Sequence, residues 1–201
     1  MSTQQAGGVK PSNWNAPNVI TAARIVATPF FLWLLLASGD NVAMRWGAAA
    51  FFVIAIATDA LDGYLARSRG LITDLGKLLD PIADKALTGA ALVGLAILAE
   101  LPWWVVVVVL VREIGVTIHR LMIVSDVVVA AAWMGKIKTV AQSVAIALAL
   151  TPLAHVDGAA GTVFTWVNIV TMSIAVILTV VSGIDYVVAY VRGRGAAARN
   201  A

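Results

Sequence analysis

Long apolar runs dominate this chain, and its polar residues gather between them or at their ends. Six runs stand out, over residues 19–38, 45–67, 78–99, 102–122, 137–154 and 162–190. Each is about 20 residues or longer except the fifth, which is short for a ~30 Å hydrocarbon core unless its helix starts earlier. The second, third and fourth carry charges near one end, so a plain hydropathy window is expected to score them poorly. The pattern predicts an all-α integral membrane protein with six transmembrane helices. Residues 1–18 are expected to form a polar segment at the inner membrane surface, 19–191 one six-helix membrane domain, and 192–201 a basic, Ala-rich tail. The first 17 residues lack the apolar stretch of a cleavable signal. No internal repeat is visible, so an inverted-repeat transporter gains no support.

Composition sharpens this picture. The chain is 61% hydrophobic and only 12% charged, with a mean hydropathy of +0.91. The absence of cysteine removes disulfides, thiol nucleophiles and thiolate metal sites. The pI near 9.5 would suit nucleic acid, but the placement of the charges assigns it to the membrane. An even number of helices puts both termini on one side. With the termini inside, only Arg45 of the 14 Lys and Arg falls outside. The positive-inside rule then predicts cytoplasmic termini, a multi-pass protein of the cell's inner membrane, contact with membrane lipids and no nucleic-acid partner. Trp46, Trp103 and Trp104 fall near outer boundaries, and Trp14 and Trp133 near inner ones, as an interfacial belt predicts.

The chemistry lies between residues 59 and 84, which read DALDGYLAR and then, eight residues later, GKLLDPIAD. Carboxylates are costly in a membrane, and four crowded together repel one another, so cations must sit among them. Asp59 and Asp62 share one face of helix 2, with Gly63 and Ala66 beside them, and Asp80 and Asp84 share one face of helix 3. The short connection makes the helices antiparallel neighbours, and their acidic faces are expected to meet around one pocket facing the cytoplasm. Ligands that are all oxygen suit hard cations such as Mg²⁺ or Mn²⁺. Four carboxylates have room for two ions about 4 Å apart, an arrangement suited to phosphoryl chemistry. Gly63 and Ala66 leave space for a ligand, and Arg67 is placed to meet an anionic phosphate. In the competing reading the small residues only pack helices.

The spacing D-x2-D-G-x2-A-R-x8-G-x3-D-x3-D, carried here by Asp59, Asp62, Gly63, Ala66, Arg67, Gly76, Asp80 and Asp84, resembles the signature of the CDP-alcohol phosphotransferases. The likeness extends to PNVITAAR entering helix 1, VREIGVTIHR in helix 4 and WMGKIKTVAQ leading into helix 5. These flanks are most similar to the members that join CDP-diacylglycerol to sn-glycerol 3-phosphate. The resemblance implies six helices, Asp59, Asp62 and Asp80 as metal ligands, and Asp84 as general base and further metal ligand. It implies that the CDP-lipid lies against Asn18, Thr21, Asp59, Asp62, Gly63, Ala66, Arg67 and Thr73, and that the protein is a homodimer.

Arg112, Arg120, Lys136 and Lys138 form a cationic group suited to the acceptor's phosphate. The plainer reading is anchoring and snorkelling at the inner face. Glu113 reads as a structural partner of Arg112, and His119 as a packing residue. His155 and Asp157 fall in an outer loop and are expected in solvent, while Asp185 is expected to pair with a basic residue. Serine, inositol phosphate and phosphatidylglycerol stay open as acceptors. A cation transporter and a purely structural membrane protein are the alternatives from other classes.

Overall fold

The computed structural model describes residues 15–68, 73–122 and 132–197. Among them are six α-helices and no strand: α1 (Ala16–Ala37), α2 (Val42–Ser68), α3 (Asp74–Ile97), α4 (Trp103–Met122), α5 (Ala132–Leu150) and α6 (Ala159–Ala197). A short 3₁₀ turn, Pro152–His155, joins α5 to α6. Each helix covers one of the six apolar runs. The fifth does start early, at Ala132, and with the 3₁₀ turn it gives an apolar stretch from Trp133 to His155. At ~1.5 Å per residue the 39 residues of α6 span roughly 58 Å, well beyond a ~30 Å hydrocarbon core. Arg192, where the basic tail was expected to begin, lies inside this helix.

Among the described residues, four stretches are long and apolar enough to cross a membrane by themselves: Asn18–Ala37, Val42–Leu61, Trp133–His155 and Ala159–Arg192. The second run therefore scores better than expected, because apart from Arg45 at its start its charges fall in its last turns. The third and fourth do not qualify, since each carries three or more charges along its helix: Asp80, Asp84 and Lys85 in α3, and Arg112, Glu113 and Arg120 in α4. Their charges need partners inside the bundle. The outer surface is apolar all round, with Val26, Trp33, Ile54, Val111, Val140, Trp166 and Ile177 exposed. Such a surface suits lipid rather than water.

The interior has two halves. One is apolar, built on Phe31 and Leu35 of α1, Phe52 of α2, Leu92 and Leu95 of α3, Val106 of α4 and Ile146 of α5. α1 packs most extensively on α3, then on α2, and α5 packs on α6. The α1–α3 approach is close because α3 presents glycine. A Cβ on Gly94 would lie 2.6 Å from Leu35 Cδ2 and 3.1 Å from Leu32 Cδ1. Small residues at helix contacts let membrane helices pack by dispersion alone.

The apolar half ends at a buried cation. Arg45 pairs with Glu100 and donates to the carbonyls of Leu150 (2.9 Å) and Ala149 (3.1 Å). These interactions tie the start of α2 to the ends of α3 and α5. His155 is exposed, as expected, but its Nε2 also lies 3.5 Å from Glu100 Oε1. Asp185 is exposed and, among the described residues, makes no ion pair. Gly94→Val is expected to lower stability by about 1–3 kcal/mol through overpacking against fully buried Leu35; thermal unfolding in detergent checks this, and an unchanged midpoint would contradict the close α1–α3 contact.

Candidate active site

The polar half of the interior begins with α1. Asn18, Thr21, Arg24 and Thr28 are all buried, and their spacing puts them on one helix face. Asn15 caps the helix by accepting from the Asn18 N–H at 3.0 Å. Asn18 Nδ2 donates to Thr73 Oγ1 at 2.7 Å, and the same oxygen caps α3 by accepting from the Gly76 N–H at 3.0 Å. A Cβ at position 76 would stand 2.6 Å from Asn18 Oδ1. Glycine there is what lets the two helix starts join. One turn on, Thr21 Oγ1 donates to Asp80 Oδ1 at 3.0 Å. Arg24 then pairs with Asp59 through its guanidinium.

This corrects one expectation. The acidic stretches of α2 and α3 are joined through α1 rather than by direct helix packing: those two helices touch only slightly, although Asp84 is close enough to feel the charge of Asp59. α1 bridges them, holding Asp59 with Arg24 and Asp80 with Thr21. The physical reason is charge: facing carboxylates repel, whereas a guanidinium and a hydroxyl from a third helix satisfy both. Asp59, Asp62, Gly63, Ala66 and Arg67 all lie on the continuous helix α2. The side chains of Asp62, Ala66, Arg67 and Arg120 lie outside the described residues.

Asp84 opens a second polar cluster. Asp84 is close enough to feel the charges of Lys85, Asp59, Glu113 and Lys138. Lys85 Nζ lies 3.8 Å from Asp84 and 3.0 Å from Glu113 Oε2. Glu113 is a hub, since its other oxygen accepts from Lys138 at 2.6 Å and from Arg112 at 2.7 Å. It therefore joins α3, α4 and α5 and is the structural partner that the sequence suggested. Arg112 also donates to Ser182 Oγ on α6 at 2.8 Å. Below it, His119 Nδ1 lies 2.7 Å from Tyr186 Oη, and its ring stands edge-on to Tyr186 and Tyr190. This matches a packing role. Arg112, His119, Tyr186 and Tyr190 help line a cavity of about 340 Å³ between α4 and α6.

Of the four acceptor candidates, the structure brings Arg112 and Lys138 together on Glu113, and Lys136 is exposed. A smaller cavity of about 70 Å³ connects Asp84 and Lys85 of α3, Glu113 of α4, and Lys138 and Gln142 of α5. Sequence reasoning counted Arg24 and Lys85 only as topology charges. The signal for Arg24 was the polar stripe at 18, 21, 24 and 28 in an otherwise apolar helix.

Residues 14–181 match the CDP-alcohol phosphatidyltransferase family. The chain belongs to that family. It is 44% identical over 185 residues to a "Probable phosphatidylglycerophosphate synthase" of Mycobacterium tuberculosis (strain CDC 1551 / Oshkosh), covering 90% of this chain and 84% of that protein. It is 40% identical over 187 residues to the "CDP-diacylglycerol--glycerol-3-phosphate 3-phosphatidyltransferase" of Bacillus subtilis (strain 168), covering 86% and 93%. A protein of the same name from Cereibacter sphaeroides is 35% identical over 164 residues, covering 77% and 72%.

CDP-alcohol phosphatidyltransferases generally use divalent metals. The donor chemistry here fits such an ion, because Asp59, Asp80 and Asp84 offer only hard carboxylate oxygens. Among the described residues no three His, Cys, Asp or Glu converge as a ready cluster. A carboxylate has about four lone-pair sites, so the bonds from Arg24 and Thr21 do not exhaust Asp59 and Asp80.

In this family member, Glu113 holds three cations together, and neutralising it leaves them facing one another. Glu113→Gln is expected to cost about 3–5 kcal/mol of stability. The double variant Glu113→Gln/Lys138→Met should recover part of that loss. Thermal unfolding of both variants checks this; equal midpoints for Glu113→Gln and the unaltered chain would contradict the hub.

Proposed function

We propose that this chain is a CDP-diacylglycerol–glycerol-3-phosphate 3-phosphatidyltransferase of the cell's inner membrane, with its active site facing the cytoplasm. The observation that carries this reading is the assembly at one end of the bundle. Asp59 and Asp80 are held on α1, and Asp84 stands beside a cavity walled by lysines. The names of the similar proteins from Bacillus subtilis and Cereibacter sphaeroides give the two substrates.

Asp59, Asp62, Asp80 and Asp84 would hold divalent cations, with two Mg²⁺ or Mn²⁺ ions the arrangement that best suits this chemistry. When bound, such ions polarise the phosphoanhydride oxygens and offset their charge. The CDP headgroup lies against Asn18, Thr21, Gly63, Ala66, Arg67 and Thr73. Arg112, Arg120, Lys136 and Lys138 attract the phosphate of the acceptor. Asp84 accepts the proton from the 1-hydroxyl of glycerol 3-phosphate. That oxygen forms a bond to the phosphorus bearing diacylglycerol as the bond from that phosphorus to the CMP oxygen breaks. The products are phosphatidylglycerophosphate and CMP. A homodimer is part of the same proposal.

Two measurements test the reading. Purified protein supplied with CDP-diacylglycerol should form phosphatidylglycerophosphate and CMP with glycerol 3-phosphate, and far less product with serine, inositol phosphate or phosphatidylglycerol. Preference for another of these acceptors would reassign the substrate. Asp84→Asn should lower turnover by about 10²–10⁴-fold while keeping the unfolding midpoint near that of the unaltered chain. Turnover within a few-fold of normal would remove Asp84 as the base.

A further inference from the structure

Gln142 is among the polar residues lining the cavity beside Asp84 that the mechanism above leaves unused. Gln142 is only 4% exposed, and among the described residues its buried Oε1 has no hydrogen-bond partner. A buried acceptor left unmet is costly, so few persist in folded proteins without a ligand or water to serve them. Gln142 lies one helical turn past Lys138 on α5, so the two share a face. Both line the cavity, with Asp84 and Thr88 contributed by α3 and Glu113 by α4. The volume of about 70 Å³ admits several water-sized groups, each of which needs on the order of 10–15 Å³.

The cations nearby lie against Glu113 rather than against Gln142. Lys85, Arg112 and Lys138 all meet Glu113, and Thr139 donates its hydroxyl to the Gly135 carbonyl at 2.9 Å. The Gln142 oxygen is thus open to a donor brought by a ligand, and a hydroxyl entering beside Asp84 is a group that fits.

We propose that Gln142 is a specificity-determining residue that accepts a hydrogen bond from the acceptor's secondary hydroxyl, the one that does not attack. This rests on glycerol 3-phosphate as acceptor. It accounts for selection of a polyol phosphate over a simple alkanol phosphate, since a site built around a hydroxyl is left with an unmet group when that hydroxyl is missing.

The test compares glycerol 3-phosphate with 3-hydroxypropyl phosphate, which keeps the phosphate and a primary hydroxyl but lacks the secondary one. The full chain in lipid–detergent micelles is assayed with CDP-diacylglycerol, and kcat/KM is measured for each acceptor. The unaltered chain should favour glycerol 3-phosphate by on the order of tenfold or more, and Gln142→Met should bring the ratio close to one. Because the ratio is taken within each variant, loss of folded protein cancels. An unaltered chain without preference, or a Gln142→Met ratio equal to that of the unaltered chain, overturns the assignment. An unaltered chain that makes no lipid product from glycerol 3-phosphate, yet uses a different acceptor, removes the acceptor reading and this inference together. That outcome is told apart from failure of Gln142 alone by the activity before mutation.

Discussion

A carboxylate inside an apolar helix bundle must find a cation from another helix, and this protein's architecture follows from that demand. Asp59 of α2 is met by Arg24 of α1. Glu113 of α4 is met by Lys85 of α3, Lys138 of α5 and its neighbour Arg112. At the far end, Glu100 is met by Arg45 of α2. Against an apolar alternative such pairs add little net stability, but removing one partner leaves an unpaired charge in a medium that cannot solvate it. The pairs therefore constrain which helices stand together, while dispersion at glycine-lined contacts such as Gly94 on Leu35 holds them.

The same constraint separates function from scaffold. α1, α3 and α5 begin, and α2, α4 and α6 end, at the polar end of the bundle, where Thr21, Asp59, Asp80, Glu113, Lys138 and Ser182 are found. The other half holds Phe31, Leu35, Phe52, Leu92 and Ile146, all buried. Polar groups gathered toward one end of the helices, above a packed apolar base, stay fixed by their neighbours. In the proposed function, that placement would leave them within reach of both an aqueous substrate and a lipid headgroup.

The fold was largely legible in the sequence, because apolar length is a direct physical requirement of crossing a bilayer. All six runs became helices, and the acidic pattern pointed to the family. What the sequence hid was which helix answers which charge. Spacing places Asp59 and Asp62 on one face and Asp80 and Asp84 on another, but it does not say that α1 comes between them. The stripe at Asn18, Thr21, Arg24 and Thr28 was visible, yet Arg24 read as one more inner-face cation. Lys85 and Gln142 were invisible for a similar reason. Their meaning comes from residues more than 20 positions away, Glu113 and Asp84, which only the packing of α3, α4 and α5 brings close.

The central claim is that the acidic end of α2 and α3, braced by α1, holds divalent ions against a nucleotide-linked lipid. Electron paramagnetic resonance of Mn²⁺ titrated into the full chain with CDP-diacylglycerol tests this most directly. The account predicts a protein-bound Mn²⁺ signal that is strengthened by the lipid and lost in Asp80→Asn. Mn²⁺ that remains free in solution, or that binds the unaltered chain and Asp80→Asn alike, would contradict it.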